Sequence, residues 1–422
     1  MHWKPWRIHR RWLVWLVVAG FVLPGLVAPE QPDWGDQQQQ LERLVGRRGF
    51  NFVAWELGAL ATKGQAFLAR GQGYLTDDGR REAVTTFLEK VGAARQSEEE
   101  IGRIYAQEAH PAAVAQAVES QLAIERTDLA AWQPLGEAIL EEQVSERLSA
   151  AGFGRFGFVW PPVKMHMTPL PSLLIISPRD HIERIYAIPL ITGLTAAEMD
   201  ALENDIFADL NLSAFITPIG GLGIYPAMVL ETSNLGFLVD TIAHEWAHHW
   251  LTLHPLGFNY NTSAAMGAIN ETVASIVGKE IGPEVMARYY PDLLPKPSPP
   301  VSAESPPTAP PPAFDFRAEM RRTRVRVDEL LAAGEVDSAE SYLEERRQRF
   351  VANGYPLRKL NQAYFAFYGA YADEPGAGGA DPIGPTVVAL RQRSASLHEF
   401  LQLVAPVTSF EELRAVLAEL GN

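Results

Sequence analysis

The chain of 422 residues contains no cysteine. That absence excludes a disulfide framework, a thiolate nucleophile, a Cys-ligated zinc and an iron–sulfur cluster. Any metal must be held by His, Asp or Glu. Cations are in short supply: Lys and Arg total 36 against 51 Asp and Glu, for a net charge of −15. A general nucleic-acid binder is thereby excluded, because nothing offsets phosphate repulsion over the whole surface. Charged residues make up 21% and hydrophobic residues 47%, which excludes a mostly disordered chain. Long apolar runs are also scarce. Trp12–Ala28 is one, and no second uncharged run of about 18 residues follows it.

That one run sets an expectation about compartment. Lys4, Arg7, Arg10 and Arg11 precede it, and Glu30, Asp33 and Asp36 follow. The asymmetry predicts a cytoplasmic tip over 1–11 and a transmembrane anchor or signal sequence over 12–28, with the body extracytoplasmic. Pro29 directly after Ala28 disfavours cleavage and favours a single-pass cell-membrane anchor, the protein being secreted if the signal is cleaved.

The body divides by pattern. Residues 36–150 carry apolar residues at spacings of three and four, as in Val84, Phe87, Leu88 and Val91. They read as a helical domain punctuated at His110-Pro111 and Gln133-Pro134. Residues 151–290 begin with short runs rich in Val, Ile and aromatics: Phe156–Trp160, Leu173–Ser177, Ile182–Ile188 and Ile224–Leu230. These are strand signals. Thr195 with Glu198 three residues on marks a helix start. Gly152, Gly154 and Gly157 fit G-x-G-x-x-G but precede a strand, which argues against a dinucleotide site. Residues 291–313 form a Pro-rich linker or insertion, and 314–422 return to helices, at 314–333, 337–353, 357–373, 384–404 and 409–420, with stops at Gly334 and Gly354. The fold class expected is α+β, predominantly helical.

The chemistry sits in Ile242-Ala-His244-Glu245-Trp-Ala-His248-His249-Trp250. It matches H-E-x-x-H, with uncharged residues between and no proline. Residues four apart share a helix face, so His244 and His248 present two imidazoles to one metal. Glu245 leans toward the metal's open position, where it takes a proton from water and passes it to a leaving amine. Neutral imidazole suits Zn²⁺, which in catalytic sites takes three protein ligands and keeps a water position.

Two residues compete for the third ligand. Glu271 lies 23 residues after His248, within Asn270-Glu271-Thr272-Val273-Ala274, at the start of a second apolar helix. A helix returning antiparallel to the first aims it at the metal. His254 stands where the pattern H-E-x-x-H-x-x-G-x-x-H has its third histidine, with Met266 downstream. That pattern needs glycine at 251, whereas Leu251 continues the helix and carries His254 about 240° around the axis from His248.

With H-E-x-x-H followed by Asn270-Glu271-Thr-Val-Ala, the sequence resembles the gluzincin zinc metallopeptidases, of a membrane-anchored bacterial type. The His254 alternative resembles a metzincin. The gluzincin resemblance covers the two helices and the strands ahead of them. It implies a small twisted sheet preceding a helical zinc-peptidase core, zinc held by His244, His248 and Glu271, and Glu245 as base. It also implies that Ile224–Leu230 is an edge strand that pairs with extended peptide. Tyr364 and Tyr368, one helical turn apart, are the expected donors to the oxyanion, with His249 as another. The reaction expected is zinc-dependent hydrolysis of peptide bonds in a peptide or protein substrate, with the membrane as a partner through the N-terminal segment. The alternative is a membrane-tethered binding protein that keeps the zinc frame without activity.

Overall fold

A computed structural model describes residues 35–69, 71–107, 111–155, 158–294, 314–369 and 382–421. Met1–Gly46 and Arg47–Asn422 form two units. The first is described only by helix α1 (Gly35–Val45); every other complete element lies in the second.

The Ala- and Glu-rich stretch folds as helices α2 (Phe52–Ala69), α3 (Asp77–Gln107) and α4 (Pro111–Leu148). α3 and α4 run antiparallel, with Lys90 to Asp128 at 3.2 Å and Ser97 to Glu125 at 2.7 Å. The break expected at Pro134 is corrected. α4 runs through it, held by the buried Leu129 on one side and Ile139 and Leu140 on the other.

The expected membrane placement is also corrected. Among the described residues, no helix is long and apolar enough to cross a membrane. α3 and α4 have the length, at 31 and 38 residues, but carry charged residues along it. A single-pass chain with an extracytoplasmic body is therefore not supported. Residues 12–28, and 295–313 of the Pro-rich segment, lie outside the described residues.

The strand-rich region makes two small sheets and a hairpin rather than one sheet. β1 (Gly154–Arg155) and β2 (Phe158–Val159) form the hairpin. β4 (Ser172–Pro178) is the centre of an antiparallel sheet between β5 (Tyr186–Leu190) and β6 (Leu212–Pro218), with Ile175 opposite Ala187 and Phe215. The second sheet has the order β3 (Met165–Thr168), β8 (Ala227–Leu230), β7 (Gly221–Leu222). β3 is parallel to β8 and β7 is antiparallel to it, so the edge position expected for Ile224–Leu230 is corrected: β8 is the central strand, and β7 is an edge. Helix α5 (Ala196–Leu210) starts at the expected capping box of Thr195 and Glu198. It ends at Asn211, whose left-handed φ of 55° turns the chain directly into β6.

The outer edge of β3 is closed by side chains. Glu137 and Glu141, one turn apart on α4, accept the backbone N–H groups of Met167 (2.8 Å) and Met165 (3.1 Å). They stand where a neighbouring strand would. Lys63 pairs with both, Lys164 with Glu141, and His166 with Glu137. Burial by itself raises the Glu137 pKa, but Lys63 and His166 more than offset it and hold the carboxyl at about 2. Its unfolded value is the ordinary 4.5, so its contribution to stability is complete above that pH and is lost as pH falls toward about 2. The contribution is on the order of 3 kcal/mol. Urea unfolding followed from pH 6 to 2 should show this loss in the natural chain and a flatter dependence in Glu137→Gln; equal slopes would remove the carboxylate from the acid limb.

Two helices and a short turn follow the sheets: α6 (Leu235–Leu251), α7 (Pro255–Phe258) and α8 (Ala264–Tyr289). The C-terminal part contains α9 (Phe316–Ala332), α10 (Val336–Ala352), α11 (Gln362–Tyr368), α12 (Ile383–Arg393), α13 (Leu397–Val404) and α14 (Phe410–Glu419). Gly334, with φ of 76°, gives the tight stop between α9 and α10. The single helix expected over 384–404 is divided, because Ser396 caps a new start by accepting from Glu399 N–H.

Burial is organised around two apolar clusters. One joins α3, α4, α6, α8 and α12 to α14, through residues such as Phe87, Leu140, Trp246, Ile269, Val387 and Phe400. The other joins β4 and β6 to α9, α10 and α11, through Ile175, Phe215, Val327, Phe350 and Phe365. A cleft opens where residues of the second cluster face α6 and α8.

Candidate metal centre

α6 begins at Asn234, whose side chain accepts from Phe237 N–H at 3.1 Å. Its apolar residues (Leu238, Val239, Ile242, Ala243, Trp246, Ala247) are buried, and Trp246 Nε1 donates to the Pro161 carbonyl at 2.8 Å. α8 begins at Ser263, which accepts from Met266 N–H at 3.2 Å. The two helices meet without a side chain between them at Gly278. A Cβ there would lie 2.7 Å from the Asp240 carbonyl and 3.3 Å from His244 Cβ. That close approach sets Glu271, two turns earlier on α8, against the two histidines.

His244 Nε2 and His248 Nε2 lie 3.1 Å apart. Glu271 Oε2 is 3.6 Å from the first and 3.5 Å from the second. A triangle of these sides has a point roughly 2 Å from all three atoms, which is the length of zinc bonds to imidazole and carboxylate, about 2.0–2.2 Å. His244, His248 and Glu271 thus fit one metal ion in geometry and donor type. The surroundings prepare each donor. His248 Nδ1 lies 2.8 Å from Asn270 Oδ1, so with the proton on Nδ1 the Nε2 lone pair is free for a metal. Tyr260 donates its hydroxyl to Glu271 Oε1, leaving Oε2 toward the histidines. Arg184 donates to that hydroxyl at 3.3 Å and lies over the Tyr260 ring.

The electrostatics favour a cation at this point. Burial raises the Glu271 pKa, but His248 and His244 hold it well below the ordinary carboxylate range. Burial lowers the His248 pKa, but Glu271 reverses the shift and pushes it up to about 9. A buried carboxylate between two imidazoles draws positive charge, as a proton or as a metal.

Glu245 stands beside this triangle. It is 4% exposed, its Oε2 has no hydrogen-bond partner, and burial raises its pKa. The β7 side of the cleft makes room for it with glycine: a Cβ on Gly221 would lie 2.1 Å from Glu245 Oε1, and one on Gly223 would lie 3.0 Å from His248 Cβ. The cleft has a volume of about 330 Å³, with Leu173, Ile219, Leu222 and Phe367 forming an apolar side opposite His244, Glu245, His248 and Glu271.

The other expected residues lie elsewhere. His254 stacks on Trp250 with ring centres 3.9 Å apart and bonds the Trp250 carbonyl through Nδ1 at 2.8 Å. The helix does not continue past Leu251 as expected. His254 is extended (φ −132°, ψ 161°) ahead of Pro255, which starts α7. Met266 is buried in the first turn of α8. His249 is buried, with Nε2 bonded to the Ile224 carbonyl at 2.6 Å. Burial lowers its pKa to about 4, so it is a neutral anchor for the 224 turn. Tyr364 and Tyr368 pack on Phe215 at 5.3 and 6.2 Å, with the Tyr368 hydroxyl against Thr217 Oγ1 at 3.3 Å. They form no part of the cleft lining, in which Phe367 represents α11. α11 turns both tyrosines toward Phe215 and Thr217 of β6, while the oxyanion donors were expected at the cleft.

Tyr260 and Arg184 carry no local sequence signal. Tyr260 follows a four-residue helix in a loop and Arg184 precedes β5, so neither belongs to a periodic pattern. Comparison with protein-family models, with curated proteins and with solved structures finds no match to this chain.

Proposed function

We propose that this chain is a zinc-dependent hydrolase of peptide bonds, with the local architecture of a gluzincin: a small sheet ahead of two zinc-binding helices. The observation that carries the reading is Glu245, a buried carboxylate whose Oε2 is unpartnered beside the His244, His248 and Glu271 triangle. Holding such an oxygen from water is unfavourable unless something in the cleft meets it.

His244, His248 and Glu271 would hold the ion. When bound, zinc supplies a Lewis acid that polarises a carbonyl and lowers the pKa of a water. Glu245 accepts the proton of the attacking water, and its burial-raised pKa suits it to hold that proton and return it to the leaving nitrogen. Asn270 and Tyr260 keep His248 and Glu271 in place. β7 is the terminal strand of its sheet and lines the cleft, an arrangement that supports pairing with extended peptide backbone.

Purified chain incubated with a peptide mixture should release new termini. The activity should disappear on dialysis against a chelator and return with about one zinc per chain. Failure to cleave any peptide while zinc is bound would overturn the reading.

A further inference from the structure

Among the described residues, the buried polar atoms without a hydrogen-bond partner include two groups. Glu245 Oε2 and Glu271 Oε2 belong to residues that line the cleft, and His249 Nδ1 belongs to the buried ring that bonds the Ile224 carbonyl. The Nε atoms of Arg80, Arg81 and Arg147 form the second group, about 25 Å away along α8, taking 1.5 Å per residue from Glu271 to Arg288. Here the first turn of α3 and the last turns of α4 and α8 enclose a pocket of about 250 Å³. Arg80 and Arg81 line it from α3 and Arg288 from α8. Arg147 approaches through the Tyr289 hydroxyl, which it bonds.

The acceptors nearby are already engaged. Asp292 takes Arg81 Nη1 at 3.0 Å, and Glu142 takes Arg80 Nη1 at 3.5 Å. Glu146, on the pocket wall, accepts from Tyr289, and Gln143 Oε1 accepts from Tyr290 at 2.8 Å. Asp77, the other carboxylate of the lining, is solvent-exposed. Neither lining carboxylate, Asp77 nor Glu146, takes up the guanidinium Nε–H groups, which are out of water without an acceptor.

We infer that this pocket binds a phosphate group and thereby fastens α3, α4 and α8 to one another. A tetrahedral oxyanion offers several acceptors within a small volume, and guanidinium groups match it. The space beyond one phosphate admits the small organic part of a phosphomonoester.

The test is thermal unfolding of the full chain in inorganic phosphate, in glycerol phosphate and in chloride at equal ionic strength. Phosphate at saturating concentration should raise the midpoint by roughly 2–4 °C over chloride. The increment should persist in His244→Ala, where the cleft's metal is lost, and vanish in Arg80→Met and in the exposed-site variant Arg288→Gln. An equal increment from glycerol phosphate identifies a phosphomonoester as the ligand class, and an increment from the inorganic ion alone identifies the free anion. No increment over chloride would mean that water alone satisfies the three Nε–H groups. An increment lost in His244→Ala and kept in Arg288→Gln would place the anion in the cleft. Either result overturns the inference without bearing on whether the cleft hydrolyses peptides.

Discussion

Replacing Glu245 with glutamine should reduce peptide hydrolysis by about 10²–10⁴-fold, the usual contribution of a positioned general base, while zinc remains bound. The amide keeps the size of the carboxylate, so it still fits over Gly221, where Glu245 lies too close for any Cβ. It does not take up a proton. Zinc binding should be unaffected because the candidate ligand atoms belong to His244, His248 and Glu271. The fold should hold or gain slightly, since a neutral amide is easier to bury than a carboxylate without a partner. Turnover and zinc content measured on the same preparation decide the matter. Equal turnover in both forms would show that Glu245 is not the base. Absence of turnover in both, with zinc present, would favour a binding protein that has kept the frame.

Removal of Glu271 should have the second large effect, on the metal itself. Glu271→Ala leaves His244 and His248 as the remaining pair and should weaken zinc binding by more than the 10–100-fold typical of losing a supporting residue. Tyr260→Phe is the graded companion. It removes the hydroxyl that holds Glu271 Oε1 and should weaken zinc binding by about 10–100-fold. His254→Ala should leave zinc unchanged, because that ring is stacked on Trp250. Zinc titration monitored by a chelating dye ranks the three. Metal retained in Glu271→Ala and lost in His254→Ala would overturn the ligand set.

The order of these effects reflects two kinds of information in the chain. The pair His244 and His248 is a local matter. A helix places residues four apart on one face, and Ile242 to Leu251 contains nothing that breaks a helix. Central strand β4, the capping box at Thr195 and the stop at Gly334 are local in the same way. Strands β3 and β6 were less legible. β3 reads Met-His-Met-Thr, with no β-branched residue before its last, and β6 follows α5 with only Asn211 between.

Composition and local spacing settle a predominantly helical α+β chain and a candidate metal site without sulfur, built on two histidines one turn apart with a carboxylate beside the first. The third corner comes from tertiary packing. Glu271 is 23 residues from His248, and its position depends on Gly278 letting α6 and α8 approach closely. The same holds for other residues around the candidate site. Tyr260 and Arg184 come from different loops to support Glu271, and the turn of α11 carries Tyr364 and Tyr368 away from the cleft. Spacing along the chain fixes which residues share a helix face. Which faces meet depends on close packing between distant segments, and that is a property of the folded chain alone.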